Sequence, residues 1–169
     1  TPIQHQLIRG ETVSGITVFK MNNVIDGGDI YQQVPMSLLG DINDIFDRMT
    51  NLGVIISKKL ITDYANGELI FKPQKNIQKG KILKRRKPHE SELFINKLKL
   101  MNFDEVNNIV RGLLSPYPNV FIKFNDGIIY VQEVIKYKSM KGKDKVILNN
   151  LKSITNLKGK RLFLKLKDS

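Results

Sequence analysis

Gly15-Ile16-Thr17-Val18-Phe19-Lys20-Met21 runs through Asn22-Asn23-Val24-Ile25-Asp26-Gly27-Gly28 into Asp29-Ile30-Tyr31-Gln32-Gln33-Val34-Pro35-Met36. The first stretch is β-branched and apolar, and the third alternates, so each reads as a strand. The middle stretch is rich in turn formers and reads as the loop between them. Asp41 then offers an N-cap, with Asp44 in a first turn that favours negative charge. Ile42, Ile45, Phe46, Met49, Leu52, Ile56 and Leu60 recur at three- and four-residue steps, which predicts an amphipathic helix. Gly67 after Asn66 is a fitting stop. Strand, loop, strand and long helix in this order suit the back end of an α/β sheet domain.

The chain has 169 residues, 41% of them hydrophobic, which suits one compact domain or parts of two small ones. No apolar run approaches the ~20 residues of a membrane span, so no membrane partner is expected. No secretory leader is visible, and a cytoplasmic location is expected. Cysteine is absent, which excludes disulfides, thiolate metal sites and cysteine nucleophiles. The two histidines, His5 and His89, lie far apart in sequence and argue against a zinc site made from this chain alone. The sequence opens on Thr1-Pro2-Ile3-Gln4 rather than on methionine, and a fragment of a longer protein is expected.

Net charge is +12 and is unevenly placed. Residues 1–73 hold six Lys/Arg and eight Asp/Glu, while residues 74–169 hold twenty-two and eight. Such a basic lobe attracts polyanions, or solvates a surface in a Lys- and Asn-rich composition; both readings stay open. The shift in composition puts a boundary after Gln74, with residues 75–81 as a linker. The expected domains are therefore 1–74 and 75–169. In the second, Asn102 with Glu105 forms a capping-box start, and Val106, Ile109, Val110, Leu113 and Leu114 give the helix its buried face. Ser115-Pro116-Tyr117-Pro118 ends it. Val120–Phe124 and Ile128–Lys138 flank Asn125-Asp126-Gly127, a hairpin signal, and strands are expected again at 145–148 and 161–167. This half reads as a small basic α+β unit.

Pro2-Ile3, Gly10-Glu11-Thr12, Gly15-Ile16-Thr17 and Asp26-Gly27-Gly28-Asp29-Ile30, in this order and without gaps to Gln33, resemble one wall of the active site of 10-formyltetrahydrofolate-dependent formyltransferases. Ile109-Val110-Arg111 and Pro116-Tyr117-Pro118-Asn119-Val120-Phe121 resemble a later segment of the same family, with Asn119 standing where the family prefers glycine. The resemblance implies a fold: the back half of a Rossmann-like formyltransferase domain, followed by a small basic, barrel-like α+β domain. It also implies a reaction, the transfer of a formyl group from the cosubstrate 10-formyltetrahydrofolate to an amine. Asp26 becomes the catalytic aspartate, which pairs with a histidine and favours its imidazolium. Asn22, Asn23, Val24 and Ile25, with Asp26, become the loop that wraps the folate. Without the family, Asp26 reads as a turn residue ahead of two glycines, and Asp29 as structural. The family's Asn-x-His motif is expected about a dozen residues before Thr1, so the chain by itself is expected to be inactive.

Lys84-Arg85-Arg86-Lys87-Pro88-His89-Glu90-Ser91 resembles a segment of the sugar N-formyltransferases. Arginine pairs suit bidentate phosphate contact, and the resemblance gives Arg85, Arg86 and Arg111 to substrate binding. The expected acceptor is a nucleotide-linked amino sugar. Methionyl-tRNA formyltransferase, with tRNA as partner, is the alternative, and a non-catalytic nucleic-acid-binding domain is the second. Arg85 and Arg86 also read as a solvated basic turn, and Arg111 as a packing or capping residue. A homodimer is carried as an open expectation.

Overall fold

The computed structural model describes residues 2–74, 83–125, 127–138, 144–149 and 162–164. The chain divides into two compact units. One contains Thr1–Glu11, Gly40–Asn43 and Lys84–Ser169; the other contains Thr12–Leu39 and Asp44–Leu83. The expected linker at 75–81, Asp126 and most of the Lys136–Lys167 basic stretch lie outside the described residues.

The second of these units carries the strand–loop–strand motif. β1 (Val13–Phe19) pairs antiparallel with β2 (Ile30–Ser37), and the register shifts between Val18 and Phe19. Ile30 also exchanges two backbone hydrogen bonds of 2.8 Å with Lys72. Met36, Leu38, Ile45 and Ile56 are its buried apolar residues. Helix α2 (Ile42–Ala65) begins where Asp41 Oδ1 accepts the Asn43 N–H at 2.7 Å. It ends where Gly67 takes φ +72° and the Glu68 N–H reaches the Asp63 carbonyl at 2.8 Å, a Schellman-type closure that needs a left-handed residue. Arg48 of α2 donates to the carbonyls of Ser37 and Leu39, tying the helix to the end of β2. Asp63 Oδ2 accepts from the Tyr31 hydroxyl and the Lys59 ammonium, both at 2.7 Å. These bonds, Lys59 first, hold its carboxyl below the ordinary value.

Gly53 sits in the middle of α2, and a Cβ built there meets nothing within 4 Å. Glycine loses more backbone freedom on folding than alanine, so Gly53→Ala is expected to stabilise the protein by about 1 kcal/mol. A melting temperature raised by about 2–4 °C would register it; a fall would mean that the alanine methyl is not accommodated.

The other unit is assembled around α1 (Pro2–Ile8), α3 (Ile95–Leu98) and α4 (Phe103–Gly112). The α4 start is the capping box expected from the sequence: Asn102 Oδ1 accepts the Glu105 N–H at 2.9 Å and Glu105 Oε2 accepts the Asn102 N–H at 2.8 Å. Val106, Val110 and Leu113 pack with Leu98 and with Val120, Ile122 and Val131 in one cluster. β3 (Val120–Phe124) and β4 (Gly127–Val131) form the expected hairpin. The expected strand over 128–138 is broken at Gln132, because β4 turns back on β3 while β5 (Glu133–Lys138) pairs with β6 (Asp144–Asn149). β7 (Leu162–Leu164) pairs with β6, and residues 161 and 165–167 of that expected strand lie outside the described residues. Among the described residues these strands form sheets of two and three strands, and no closed barrel is present.

α1 carries no sequence-based expectation. Its chain enters through Pro2 and leaves through Gly10 at φ +76°, with the Glu11 N–H on the Gln6 carbonyl at 3.0 Å. Leu7, fully buried, lies where a Cβ on Gly112 would come within 3.0 Å of it, so α1 and α4 approach closely at that glycine.

Candidate active site and substrate cavity

The Asp26 turn is built mostly from backbone. Lys20 N–H donates to the Asp29 carbonyl at 2.9 Å and closes the loop at its base. Within it, Asn22 Oδ1 accepts the Val24 N–H at 2.9 Å and Asn22 Nδ2 donates to the Gly27 carbonyl at 3.3 Å. Asn22 is thus spent on shaping the loop, an Asx-type turn. Gln74 Nε2 donates to the carbonyls of Asp26 and Gly28 at 2.9 and 2.7 Å and pins the turn from outside. That residue was read from sequence only as the end of a unit; its role needed the fold. Asp26 itself has φ +55°, a strained conformation for a residue with a Cβ. Its side chain is exposed and has no hydrogen-bond or ion-pair partner among the described residues. Asn23 and Val24 are exposed beside it, and Ile25 and Met21 are 90% and 87% exposed. The loop therefore presents one free carboxylate among uncovered apolar side chains. A carboxylate placed so favours the protonated form of a basic group brought beside it.

Arg85 and Arg86 come together in the other unit, on a cavity of about 470 Å³ lined by Gln4, Arg85, Arg86, Lys87, Pro88, Ser91, Leu113, Tyr117 and Pro118. The chain is held there by a capped 3₁₀ turn over Pro88–Ser91: the Lys87 N–H donates to Glu90 Oε2 at 2.6 Å and Arg86 Nη2 to the Glu90 carbonyl at 2.7 Å. The first of these keeps the Glu90 carboxyl below its ordinary value. Ser91 is 4% exposed and donates weakly to the Pro118 carbonyl. Arg85 keeps an exposed guanidinium with no partner among the described residues. No acid lines the cavity, so it favours an anion. Gln4, one of the lining residues, is 3% exposed, and its buried Oε1 has no hydrogen-bond partner among the described residues. A buried amide oxygen without a partner is costly and calls for a donor. Sequence reasoning missed Gln4, since nothing in a polar residue of a short helix announces burial. His5, beside it in sequence, bonds the Lys84 carbonyl through Nε2 at 3.1 Å.

Arg111 does not line this cavity. Its Nε donates to Asn108 Oδ1 and its Nη1 to the Gly40 carbonyl, both at 2.8 Å, and burial holds its pKa below the ordinary value. These bonds fit the packing or capping reading of Arg111. Arg111→Ala is expected to cost about 1–2 kcal/mol through the lost bonds to Gly40 and Asn108. Anion affinity at the cavity is expected to stay within twofold; a thermal melt and a titration with inorganic pyrophosphate would check both.

No family model matches the sequence. The methionyl-tRNA formyltransferase of Anaplasma phagocytophilum is 26% identical over 152 residues, 88% of this chain and 46% of that relative. The structure resembles methionyl-tRNA formyltransferase from Clostridium thermocellum, with a TM-score of 0.63, 24% identity, and coverage of 89% of this chain and 62% of that one. It also resembles the N-formyltransferase from Helicobacter canadensis in complex with folinic acid and dTDP-3-aminofucose, with a TM-score of 0.58, 17% identity, and coverage of 96% and 59%. The chain spans less than half the length of the curated relatives it matches. Along most of its length the chain is thus similar in sequence to methionyl-tRNA formyltransferases, and it shares a fold with solved methionyl-tRNA and sugar N-formyltransferases.

Proposed function

We propose that this chain serves formyl transfer from 10-formyltetrahydrofolate to the amine of a nucleotide-linked amino sugar. The observation that carries the reading is the acid-free cavity that Arg85 and Arg86 line together with Tyr117 and Gln4, whose buried Oε1 has no hydrogen-bond partner among the described residues. A nucleotide sugar supplies phosphates for the guanidiniums, a ring for the tyrosine face, and donors for the amide oxygen. The Asp26 loop supplies the other half of the reaction. Folate lies along Asn22–Ile25, and the Asp26 carboxylate stabilises the protonated form of a neighbouring histidine as the amine loses its proton. That a solved relative holds folinic acid and dTDP-3-aminofucose together supports this division of labour. Residues 1–74 then complete the catalytic domain and residues 75–169 form the small basic one.

The second reading, methionyl-tRNA as acceptor, is favoured by the names of the curated relatives, which are 26–30% identical to this chain. Salt separates the two. Binding of a nucleoside diphosphate sugar, with two phosphates, should weaken only modestly between 50 and 200 mM salt on the order of the phosphates contacted; tRNA affinity should fall by orders of magnitude. Titration of the chain with dTDP- and UDP-sugars and with tRNA would decide. Saturable nucleotide-sugar binding that is lost in Arg85→Ala supports the proposal. Tight tRNA binding without it sinks the sugar branch.

A further inference from the structure

We propose that Gln74 is a positioning residue for formyl transfer: its amide keeps Asp26 in the left-handed conformation from which the carboxylate acts. The inference rests on the role given to Asp26 above and not on the choice of acceptor. Asp26 takes φ +55°, a region that a residue with a Cβ enters against a steric penalty and keeps where its surroundings hold it. The bonds made inside the loop do not reach its peptide groups. Asn22 serves the Val24 N–H and the Gly27 carbonyl, the Gly27 N–H donates to the Val24 carbonyl at 3.1 Å, and Lys20 and Asp29 close the base. Among the described residues, the hydrogen bond on an Asp26 peptide group comes from Gln74, 48 positions further along the chain. Its Nε2 donates to the Asp26 carbonyl at 2.9 Å and to the Gly28 carbonyl at 2.7 Å.

The place of Gln74 is built into its unit. Lys72 exchanges two backbone hydrogen bonds of 2.8 Å with Ile30, where β2 leaves the loop, and Pro73 fixes φ at the one residue between. The residue type matters as well. One amide nitrogen carries two hydrogens, and each has its own carbonyl, so the turn is tied on both sides of Gly27 to a single planar group. Gly27 and Gly28 give the backbone there wide conformational freedom. Without the tie, Asp26 is free to return to negative φ, and its Cβ and carboxylate move with it. An amide makes these bonds without adding a charge to the turn, so the Asp26 carboxylate keeps its effect on an imidazolium beside it.

Gln74→Met tests this, since it keeps the length of the side chain and removes both donors. The protein used carries this chain and the Asn-x-His segment of the formyltransferases, and is assayed with dTDP-3-aminofucose and with methionyl-tRNA as acceptors. Amide exchange over residues 22–29, followed by mass spectrometry, is expected to speed up about tenfold, with the melting temperature within about 4 °C of the parent. A reacting group displaced in this way should cost about 10- to 100-fold in kcat. The dissociation constant for 5-formyltetrahydrofolate should stay within about threefold, because Asn22 shapes Asn22–Ile25 through bonds of its own. A role exercised through Asp26 has one further signature. In the Asp26→Asn background, Gln74→Met should lower kcat by less than about threefold, since the carboxylate it positions is already gone. Unchanged exchange, unchanged kcat, or equal losses in the two backgrounds would each overturn the proposal. A parent that formylates neither acceptor fails the functional reading and this proposal with it; an active parent with an unaffected variant fails this proposal alone.

Discussion

Gly28→Ala is expected to lower the stability of the protein by about 3 kcal/mol or more, the range of overpacking and strain mutants, and to open the Asp26 loop. A Cβ on Gly28 would sit 1.6 Å from the Lys20 carbonyl oxygen and 2.8 Å from its carbon. Neither can retreat cheaply. Lys20 is fixed by its own N–H on the Asp29 carbonyl, and Phe19 pairs with Ile30 one step away. The Gly28 carbonyl is held as well, by Gln74 at 2.7 Å. The methyl group must therefore break the pair that closes the loop, or push β1 from β2. A fall of about 6–12 °C in melting temperature, with faster exchange of the Lys20 amide, is the expected signature. A melt within 2 °C of the parent would show that the loop reorganises around the methyl group. The same glycine-to-alanine exchange at Gly53 runs in the opposite direction. The contrast isolates close approach from backbone entropy as the reason for each glycine.

What was legible in the sequence is what local periodicity and turn chemistry encode. Asn102 and Glu105 announce a helix start because each side chain can accept the other's backbone N–H, which has no partner within the helix, and both bonds form. Gly67 announces a stop because the closure there needs positive φ. The β3–β4 hairpin follows from the Asn-Asp-Gly step. What was not legible depends on residues far apart in the chain. α1 has seven residues, too few for a periodic signal, and its buried Gln4 gains meaning only beside Arg85 and Tyr117. Arg111 shows how a distant partner adds to a local reading. Its sequence position leaves ligand and packing roles both open, and the Gly40 carbonyl that accepts from its guanidinium is contributed by a turn 71 positions earlier. The break at Gln132 likewise reflects a choice of partner strands that no alternation pattern contains.

Asp26→Asn is expected to leave the fold intact and to reduce formyl transfer by about 10²–10⁴-fold, the usual contribution of a positioned acid–base group. The prediction rests on the proposed function and applies to a protein carrying both this chain and the Asn-x-His segment of the family. Asparagine is the substitution that separates charge from shape. It keeps the side-chain volume, and it tolerates the left-handed backbone that Asp26 adopts at φ +55°. The carboxylate is exposed and holds no described partner, so its loss should change stability by no more than about 0.5 kcal/mol. The turn depends instead on the Asp26 carbonyl, which Gln74 holds at 2.9 Å and which asparagine retains. What disappears is the negative charge that favours an imidazolium beside it. The loss should thus appear in kcat, with the dissociation constant for 5-formyltetrahydrofolate nearly unchanged, because the amides of Asn22–Ile25 remain in place. Asp29→Asn is the matched control: the backbone of Asp29 closes the loop, and the proposal gives its side chain no role in the chemistry. Full activity in Asp26→Asn, or an equal loss in Asp29→Asn, would return Asp26 to the role of a turn residue that happens to precede two glycines.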